Sequence, residues 1–182
     1  PSDVGCVVMN VSSVAFLSRY LKTGMPLVDK RLTVDGSAIA EPQNVRVIVG
    51  TPIRDVIEFC GTKTEVRKLL MGGPMMGLSL MDDTLPVLKQ NNAILAFAED
   101  DVCMAAQATC IRCARCINAC PMHLVPPSIA AALKTGDVKA MDKLSVMNCM
   151  ECGCCSYVCP AMQPVVQSMR LAKDAVRKAS SK

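Results

Sequence analysis

The pattern of hydrophobic and polar positions changes character twice along the chain. In residues 11–22 apolar residues recur at helical spacing, which predicts a helix that ends before Gly24. From residue 31 the alternation has period two, first in RLTVDG at 31–36 and again in VRVIV at 45–49. These two stretches therefore predict two strands joined by a loop.

A short helix is predicted directly after the second strand. Thr51 is a plausible N-cap, Pro52 suits the first helical position and Gly61 lies where a C-terminal cap belongs. The apolar residues between them fall at i, i+3, i+4 and i+7 and so share one face: Ile53, Val56, Ile57 and Cys60.

Further short strands are predicted near residues 66–71, 86–88 and 93–97. Together with the preceding strands and helix they indicate an α+β module. We predict that residues 31–98 form a β-grasp, a helix packed on a mixed sheet, and that residues 1–30 are the end of a preceding domain. Because the chain starts with Pro1 rather than Met, we expect it to be a fragment of a longer protein.

The C-terminal part, residues 99–182, shows no strand pattern and is predicted to be an all-helical domain. Acidic residues at 99–101 favour the start of a helix in DVCMAAQATC. Gly136 ends a helix in IAAALK and Asp137 can cap the next one. A final helix from about Pro164 has one apolar face, made of Val165, Met169, Ala172 and Val176.

Composition excludes some functions. Aromatic residues make up 3% of the chain and Trp is absent, so stacking surfaces for nucleic acid are nearly lacking. No uncharged apolar run is long enough to span a membrane. The net charge of +4 is concentrated in the last 23 residues, where we interpret the cations as a solvated helix face.

The strongest signal is a repeated cysteine motif. CIRCARCINACP at 110–121 and CMECGCCSYVCP at 149–160 both fit C-x2-C-x2-C-x3-C-P. This spacing lets a short loop place three thiolates around a cubane iron-sulfur cluster, while the fourth cysteine ligates the other cluster in two-cluster ferredoxins. The sequence therefore predicts two [4Fe-4S] clusters.

The predicted ligands are interlocked between the two runs. The first cluster takes Cys110, Cys113 and Cys116 together with Cys159, and the second takes Cys149, Cys152 and Cys155 together with Cys120. Helices rather than a hairpin are predicted between the runs, which favours a helical two-cluster domain that carries electrons between redox partners. No catalytic residue is predicted.

The remaining cysteines and the single His have less specific interpretations. Cys154 occupies no motif position, so we predict that it packs beside the cluster, and Cys6, Cys60 and Cys103 are predicted to be buried small hydrophobic residues. We predict that His123 lies in a loop or contacts the ligand residues, and that it does not itself bind the metal. GGPMMG at 72–77 is predicted to form a tight turn that presents two methionines. The alternative for the whole chain is a zinc-stabilised adaptor or ligand-binding module, since zinc also uses paired cysteines.

The order of these motifs resembles the C subunit of the Rnf ion-translocating electron-transport complex. The resemblance rests on RLTVDGSAIAEPQNVRVIVGTPIRDVIEFCG, which is similar to a soluble-ligand-binding β-grasp (SLBB) domain, followed by GGPMMG, PVLKQNNAILAF and the two cysteine runs. It covers nearly the whole chain.

The resemblance implies an oxidoreductase subunit that lies peripherally on the cytoplasmic face of the cell membrane. Such a subunit passes electrons between NAD(H) and ferredoxin-level carriers, together with other subunits that couple electron flow to ion translocation. FMN and NAD(H) are then expected in an upstream domain, most of which this chain lacks. Asn10 is similar to an Asn that approaches the flavin in the related NADH-binding protein of respiratory complex I.

Overall fold

The computed structural model describes residues 2–99 and 108–181. They fall into two compact units. One contains Pro1–Gly73 and Leu78–Val102, and the other contains Pro74–Gly77 and Cys103–Lys182, each without the undescribed residues. The helix predicted in residues 101–110 lies largely outside the described residues, and Cys103 lies wholly outside them.

The first unit is built on a five-stranded mixed sheet. Its strands are β1 (Asp29–Asp35), β2 (Gln43–Ile48), β3 (Lys68–Met71), β4 (Leu78–Leu80) and β5 (Ala93–Phe97). The order across the sheet is β2-β1-β5-β3-β4, with β1 and β5 parallel at the centre and all other neighbours antiparallel. The α+β class predicted from the sequence is confirmed.

One helix packs its apolar face into the core of this unit. Helix α2 (Ile53–Cys60) buries the four residues predicted to share a face, and Gly61 is its C-cap as expected. They join a core with side chains such as Leu32, Val34 and Ile94 from the central strands. Because α2 is only eight residues long, its position depends on this packing rather than on its own helical stability.

Two local predictions for this unit are wrong. Thr51 is not the N-cap of α2: Pro52 holds that position, and the Thr51 carbonyl accepts a hydrogen bond from the Val87 N–H instead. The strand expected at 86–88 is absent from the described sheet, where Pro86 forms only an isolated bridge with Pro52. Proline has no N–H to donate to a strand ladder. The segment is held instead by hydrogen bonds between Val87 and both Gly50 and Thr51 in the loop before α2.

Helix α1 (Val11–Thr23) precedes the sheet, as predicted. Asn10 caps it by accepting a hydrogen bond from the Ser12 N–H at 2.9 Å, and Gly24 ends it in the left-handed conformation. None of its residues is buried within the described part of the chain.

All regular secondary structure in the described residues 108–181 of the second unit is helical. It contains α3 (Arg115–Asn118), α4 (Pro126–Thr135), α5 (Val138–Lys143), a 3-10 turn (Val146–Asn148), α6 (Cys154–Tyr157) and α7 (Val165–Ser180). Gly136 ends α4 and Asp137 caps α5 through the Ala140 N–H, as predicted. No helix in the described residues of the chain is both long and apolar enough to cross a membrane.

Helices α4, α5 and α7 enclose the core of the second unit. All four residues predicted for the apolar face of α7 are buried. They pack with Ile129 of α4, Met141 of α5 and Val146, while half-buried cysteines of both runs contact the same core. The hydrophobic core therefore supports the backs of both cysteine-bearing loops.

Candidate metal centres

The two cysteine runs fold as copies of one local structure, offset by 39 residues from Cys110 to Cys149. In each run the third cysteine lies in a four-residue helix, α3 or α6. Each run then leads into a longer helix, and α4 and α7 begin at equivalent positions, Pro126 and Val165. The repeat seen in the sequence is thus also a repeat of secondary structure.

Left-handed backbone residues mark the same positions in both copies. The pairs are Arg112 with Glu151, Ala114 with Gly153, and His123 with Met162, and their φ angles lie between 51° and 81°. Among the described residues, Ser145 is the only other non-glycine residue with a positive φ. Non-glycine residues at such angles cost free energy, on the order of 1–3 kcal/mol each, and they concentrate at functional sites.

This backbone geometry suits an anionic group. Where left-handed and right-handed residues alternate, successive N–H groups point into a concavity that binds anions. Thiolate-ligated iron-sulfur clusters are such groups, and hydrogen bonds to their sulfur atoms tune their reduction potential. The loops around both cysteine runs therefore fit the group that the sequence predicts.

One cavity of the second unit is lined by four cysteines from both runs. Cys110, Cys113 and Cys116 of the first run line it together with Cys159 of the second. Apolar residues, including Ile111, Val125 and Ala161, also line it, together with Arg112 and Arg115. This is the set of four cysteines that the sequence predicts for the first cluster.

A second cavity is lined by the complementary set. Cys149, Cys152 and Cys155 meet Cys120 there, beside apolar residues that include Leu124, Val166 and Met169. The cavity opens in part to solvent.

Two backbone N–H groups already point at ligand sulfurs in the second cavity. The Leu124 N–H donates to Cys120 Sγ, and the Glu151 N–H donates to Cys149 Sγ, both at 3.4 Å. Hydrogen bonds to the sulfur atoms are one of the factors that set the reduction potential of an iron-sulfur cluster.

Burial affects the protonation of two ligand candidates. It raises the pKa of Cys155 to about 11 and also raises the pKa of Cys116. Without a bound group these thiols hold their protons at neutral pH. Because iron binds the thiolate, cluster loading releases those protons.

Cys154 lies between the ligand candidates Cys152 and Cys155 in the sequence, but it does not line the second cavity. It is half-buried at the start of α6, and a hydrogen bond with Cys152 raises the pKa of its thiol. Among residues 2–99 and 108–181, no three His, Cys, Asp or Glu side chains form a group that could hold a single metal ion.

The other candidate residues lie away from these cavities or only near their edges. Cys60 is buried as predicted, whereas Cys6 is exposed, so the prediction that it is buried is wrong. Cys6 lies before α1, where no core is formed by the described residues. His123 is an exposed residue in the turn after Cys120, and Met75 and Met76 are presented by a turn as expected.

Asn10 lies at the edge of an open groove in the first unit. The groove is also lined by basic side chains of α1, β1, β2 and the loop before β5, namely Arg19, Lys30, Arg31, Arg46 and Lys89. The Asn10 side-chain oxygen caps α1. Its assignment to flavin binding stays a prediction.

Three charged residues were not predicted from the sequence: Glu151, which lines the second cavity, and Arg170 and Lys173, which bond to it. The basic residues of α7 were expected on a solvated face, but this is wrong for Lys173, which is 8% exposed. Only Arg177 and its neighbours toward the end of the helix fit that expectation. The pairing of Glu151 with residues 19 and 22 positions later has no short-range sequence signal.

Two family models match the chain. Residues 31–79 match the SLBB domain and residues 103–160 match the 4Fe-4S dicluster domain. The second match favours iron-sulfur clusters over the zinc alternative.

Curated relatives match over the whole chain. It is 40% identical to the C subunit of the proton-translocating ferredoxin:NAD(+) oxidoreductase complex of Clostridium ljungdahlii, over 100% of this chain and 40% of that protein. It is also 40% identical to the C subunit of the ion-translocating oxidoreductase complex of Rhodobacter capsulatus, over 100% of this chain and 35% of the relative. The C subunit of the Na(+)-translocating ferredoxin:NAD(+) oxidoreductase complex of Acetobacterium woodii is 38% identical to the chain, over 95% of this chain and 39% of that protein. The chain thus spans about two fifths of the length of these relatives.

Proposed function

Over its whole length the chain is homologous to a part of the C subunit of Rnf-type ion-translocating oxidoreductase complexes, and we propose that it transfers electrons through two [4Fe-4S] clusters. The observation that carries the proposal is the pair of cavities, each lined by three cysteines of one run and the fourth cysteine of the other. No residue acts as an acid, base or nucleophile in this function.

The proposed ligands follow from that lining. Cys110, Cys113, Cys116 and Cys159 hold the first cluster, and Cys149, Cys152, Cys155 and Cys120 hold the second. This exchange of the fourth ligand ties α3 and α6 to each other, because each run then depends on the other to complete its site.

The clusters supply one-electron chemistry when bound, and the protein residues control its surroundings. At the second site the backbone N–H groups of Leu124 and Glu151 donate to ligand sulfurs. At the second site Leu124, Val166 and Met169 exclude water from one side. Ligand type, hydrogen bonds to sulfur and burial together set the reduction potential.

We also propose that the first unit is a β-grasp that serves as a docking scaffold. A mixed sheet with parallel central strands and one helix packed on its core supports this assignment. In this proposal residues 31–98 form the module, residues 1–30 belong to a preceding domain and residues 99–182 form the helical ferredoxin domain.

The proposed setting is a peripheral position on the cytoplasmic face of the membrane, in contact with other subunits of the complex. The names of the relatives support ferredoxin, or a similar redox carrier, as one electron partner and NAD(H) as the other. FMN and NAD(H) would bind in upstream residues of the full-length protein, and electrons would pass from there to the clusters or back.

Metal analysis of the anaerobically reconstituted chain tests the main proposal. We expect about eight irons and eight sulfides per chain, a brown colour and EPR signals after reduction, as two cubane clusters require. One or two zinc ions per chain without iron would instead support the zinc-stabilised adaptor and refute electron transfer.

Serine substitutions test the exchanged ligands. Cys159→Ser should alter the EPR signal of the cluster that Cys113→Ser also alters, whereas Cys120→Ser should alter the other signal. Cys154→Ser is the matched control and should leave the iron content and both signals unchanged. If Cys159→Ser and Cys155→Ser affect the same cluster, the exchange is wrong.

A further inference from the structure

The two cluster sites differ in their fixed charges although their backbones match. At the left-handed position after the first cysteine, the first run has Arg112 and the second has Glu151. On the following helices, Lys134 of α4 is equivalent to Lys173 of α7. The first copy therefore places two cations where the second places a carboxylate and a cation.

In the second copy these charges form a connected network. Lys173 Nζ donates to Glu151 Oε1 at 2.6 Å and to the Cys149 carbonyl oxygen at 2.9 Å. Arg170 Nε donates to Glu151 Oε2 at 3.1 Å. Cys149 and Glu151 both line the second cavity, so the network is attached directly to the loop that would hold the cluster.

The network is shielded from water, whereas the charges of the first copy are not. The side chain of Lys173 is 10% exposed, and those of Arg170 and Glu151 are 21% and 29% exposed. Arg112 and Lys134 are exposed residues. Because screening by water and salt weakens exposed charges far more than buried ones, the second copy has the stronger electrostatic effect on its site.

Two cations and one carboxylate leave one net positive charge beside the second site. One-electron reduction of a cluster adds one negative charge without forming or breaking a bond. A fixed positive charge close to the cluster therefore favours the reduced state.

Building on the proposed function, we propose that Lys173 and Arg170, opposed by Glu151, raise the reduction potential of the second cluster. Lys173 is a tuning residue that makes the two otherwise equivalent sites electrically different. Its contact with the Cys149 carbonyl also positions the loop, so the test must separate charge from structure.

Signed charge changes make that separation in the anaerobically reconstituted chain. Reduction by dithionite is followed by EPR in a potential titration, with the signals assigned from the Cys159→Ser and Cys120→Ser variants. Lys173→Met should shift the second cluster to a more negative potential. Glu151→Gln should shift the same cluster to a more positive potential, because it removes the opposing carboxylate.

The matched control is Lys134→Met, which removes the equivalent but exposed cation of the first copy. It should leave the potential of the second cluster unchanged and move that of the first much less than Lys173→Met moves the second. Lys173→Arg keeps the charge and should restore a potential close to that of the unsubstituted chain. The shift caused by Lys173→Met should persist at about 1 M salt, where the Debye length is about 3 Å.

Opposite shifts for Lys173→Met and Glu151→Gln support the proposal. Shifts in the same direction, or no shift in Glu151→Gln, refute it and leave a purely structural role for the network. If Lys173→Met loses the second cluster, Glu151→Gln and Lys173→Arg still decide the question. A chain that binds no iron would refute the proposed function itself, which is a different result from unchanged potentials in a loaded chain.

Discussion

Gly36→Ala should destabilise the first unit through two separate effects. Gly36 has a φ of +122°, and a Cβ added there would lie 2.0 Å from the carbonyl oxygen of Ala96. The backbone strain of alanine at such an angle costs about 1–3 kcal/mol. The central strand β5 must move to relieve this overlap, and overpacking of this kind typically costs about 1–3 kcal/mol more. We therefore expect Gly36→Ala to lower the unfolding free energy by about 2–6 kcal/mol.

Gly50→Ala is the matched control, because Gly50 has a φ of +102° but an added Cβ would meet nothing within 4 Å. Gly50→Ala should lower the unfolding free energy only by the cost of the backbone strain, about 1–3 kcal/mol. The assay is thermal unfolding followed by circular dichroism, where 1 kcal/mol shifts the Tm of a unit of this size by about 4–8 °C. Gly36→Ala should lower the Tm by at least about 4 °C more than Gly50→Ala. Equal shifts would mean that the turn after β1 does not approach β5 this closely.

Three further predictions concern packing, capping and acid stability. Met169→Ala removes a side chain that is 1% exposed in the core of the second unit and should cost about 2–5 kcal/mol of unfolding free energy. Leu171→Ala, on the same helix but at a residue that is 49% exposed, should cost far less. Equal losses in urea titrations would contradict this packing. Asp137→Ala removes the side-chain cap of α5 and should cost about 1 kcal/mol in the same assay, with Asp137→Asn retaining most of the stability. A hydrogen bond from Arg54 lowers the pKa of Asp83 below 3.8, so the stabilisation from this pair is present above that pH and is lost as the pH falls through the lower folded-state pKa. Arg54→Gln should therefore reduce the fall in Tm in acid. An unchanged dependence of Tm on pH would show that the pair does not contribute.

Much of the fold follows from local sequence signals. The faces of α2 and α7, the cap at Asp137 and the stop at Gly136 are all set by residues within one or two turns of each other. Short-range physics determines such features, because capping and helical periodicity need no distant partner. The repeated cysteine spacing likewise predicts the chemistry of the second unit without any knowledge of its tertiary structure.

Local signals failed where distant residues decide the outcome. The segment at 86–88 has strand-like composition, but its pairing with the loop before α2 depends on residues more than 30 positions earlier. The three-residue strand β4 exists because β3 offers it an edge. Cys6 looks like a core residue, yet the described residues build no core around it.

Eight cysteines in two equivalent loops can be predicted from the amino-acid sequence without a structure, because the spacing of a cluster motif is a property of the contiguous chain. The sequence also shows that Arg112 of the first loop corresponds to Glu151 of the second, but the strength of these charges at each site depends on the tertiary structure. The packing of α7 brings Arg170 and Lys173 onto Glu151 and removes them from water, while Lys134 in the equivalent position stays exposed. Burial and long-range charge pairing arise only when separate helices meet, and so the electrical difference between two nearly identical motifs cannot be derived from the motifs alone.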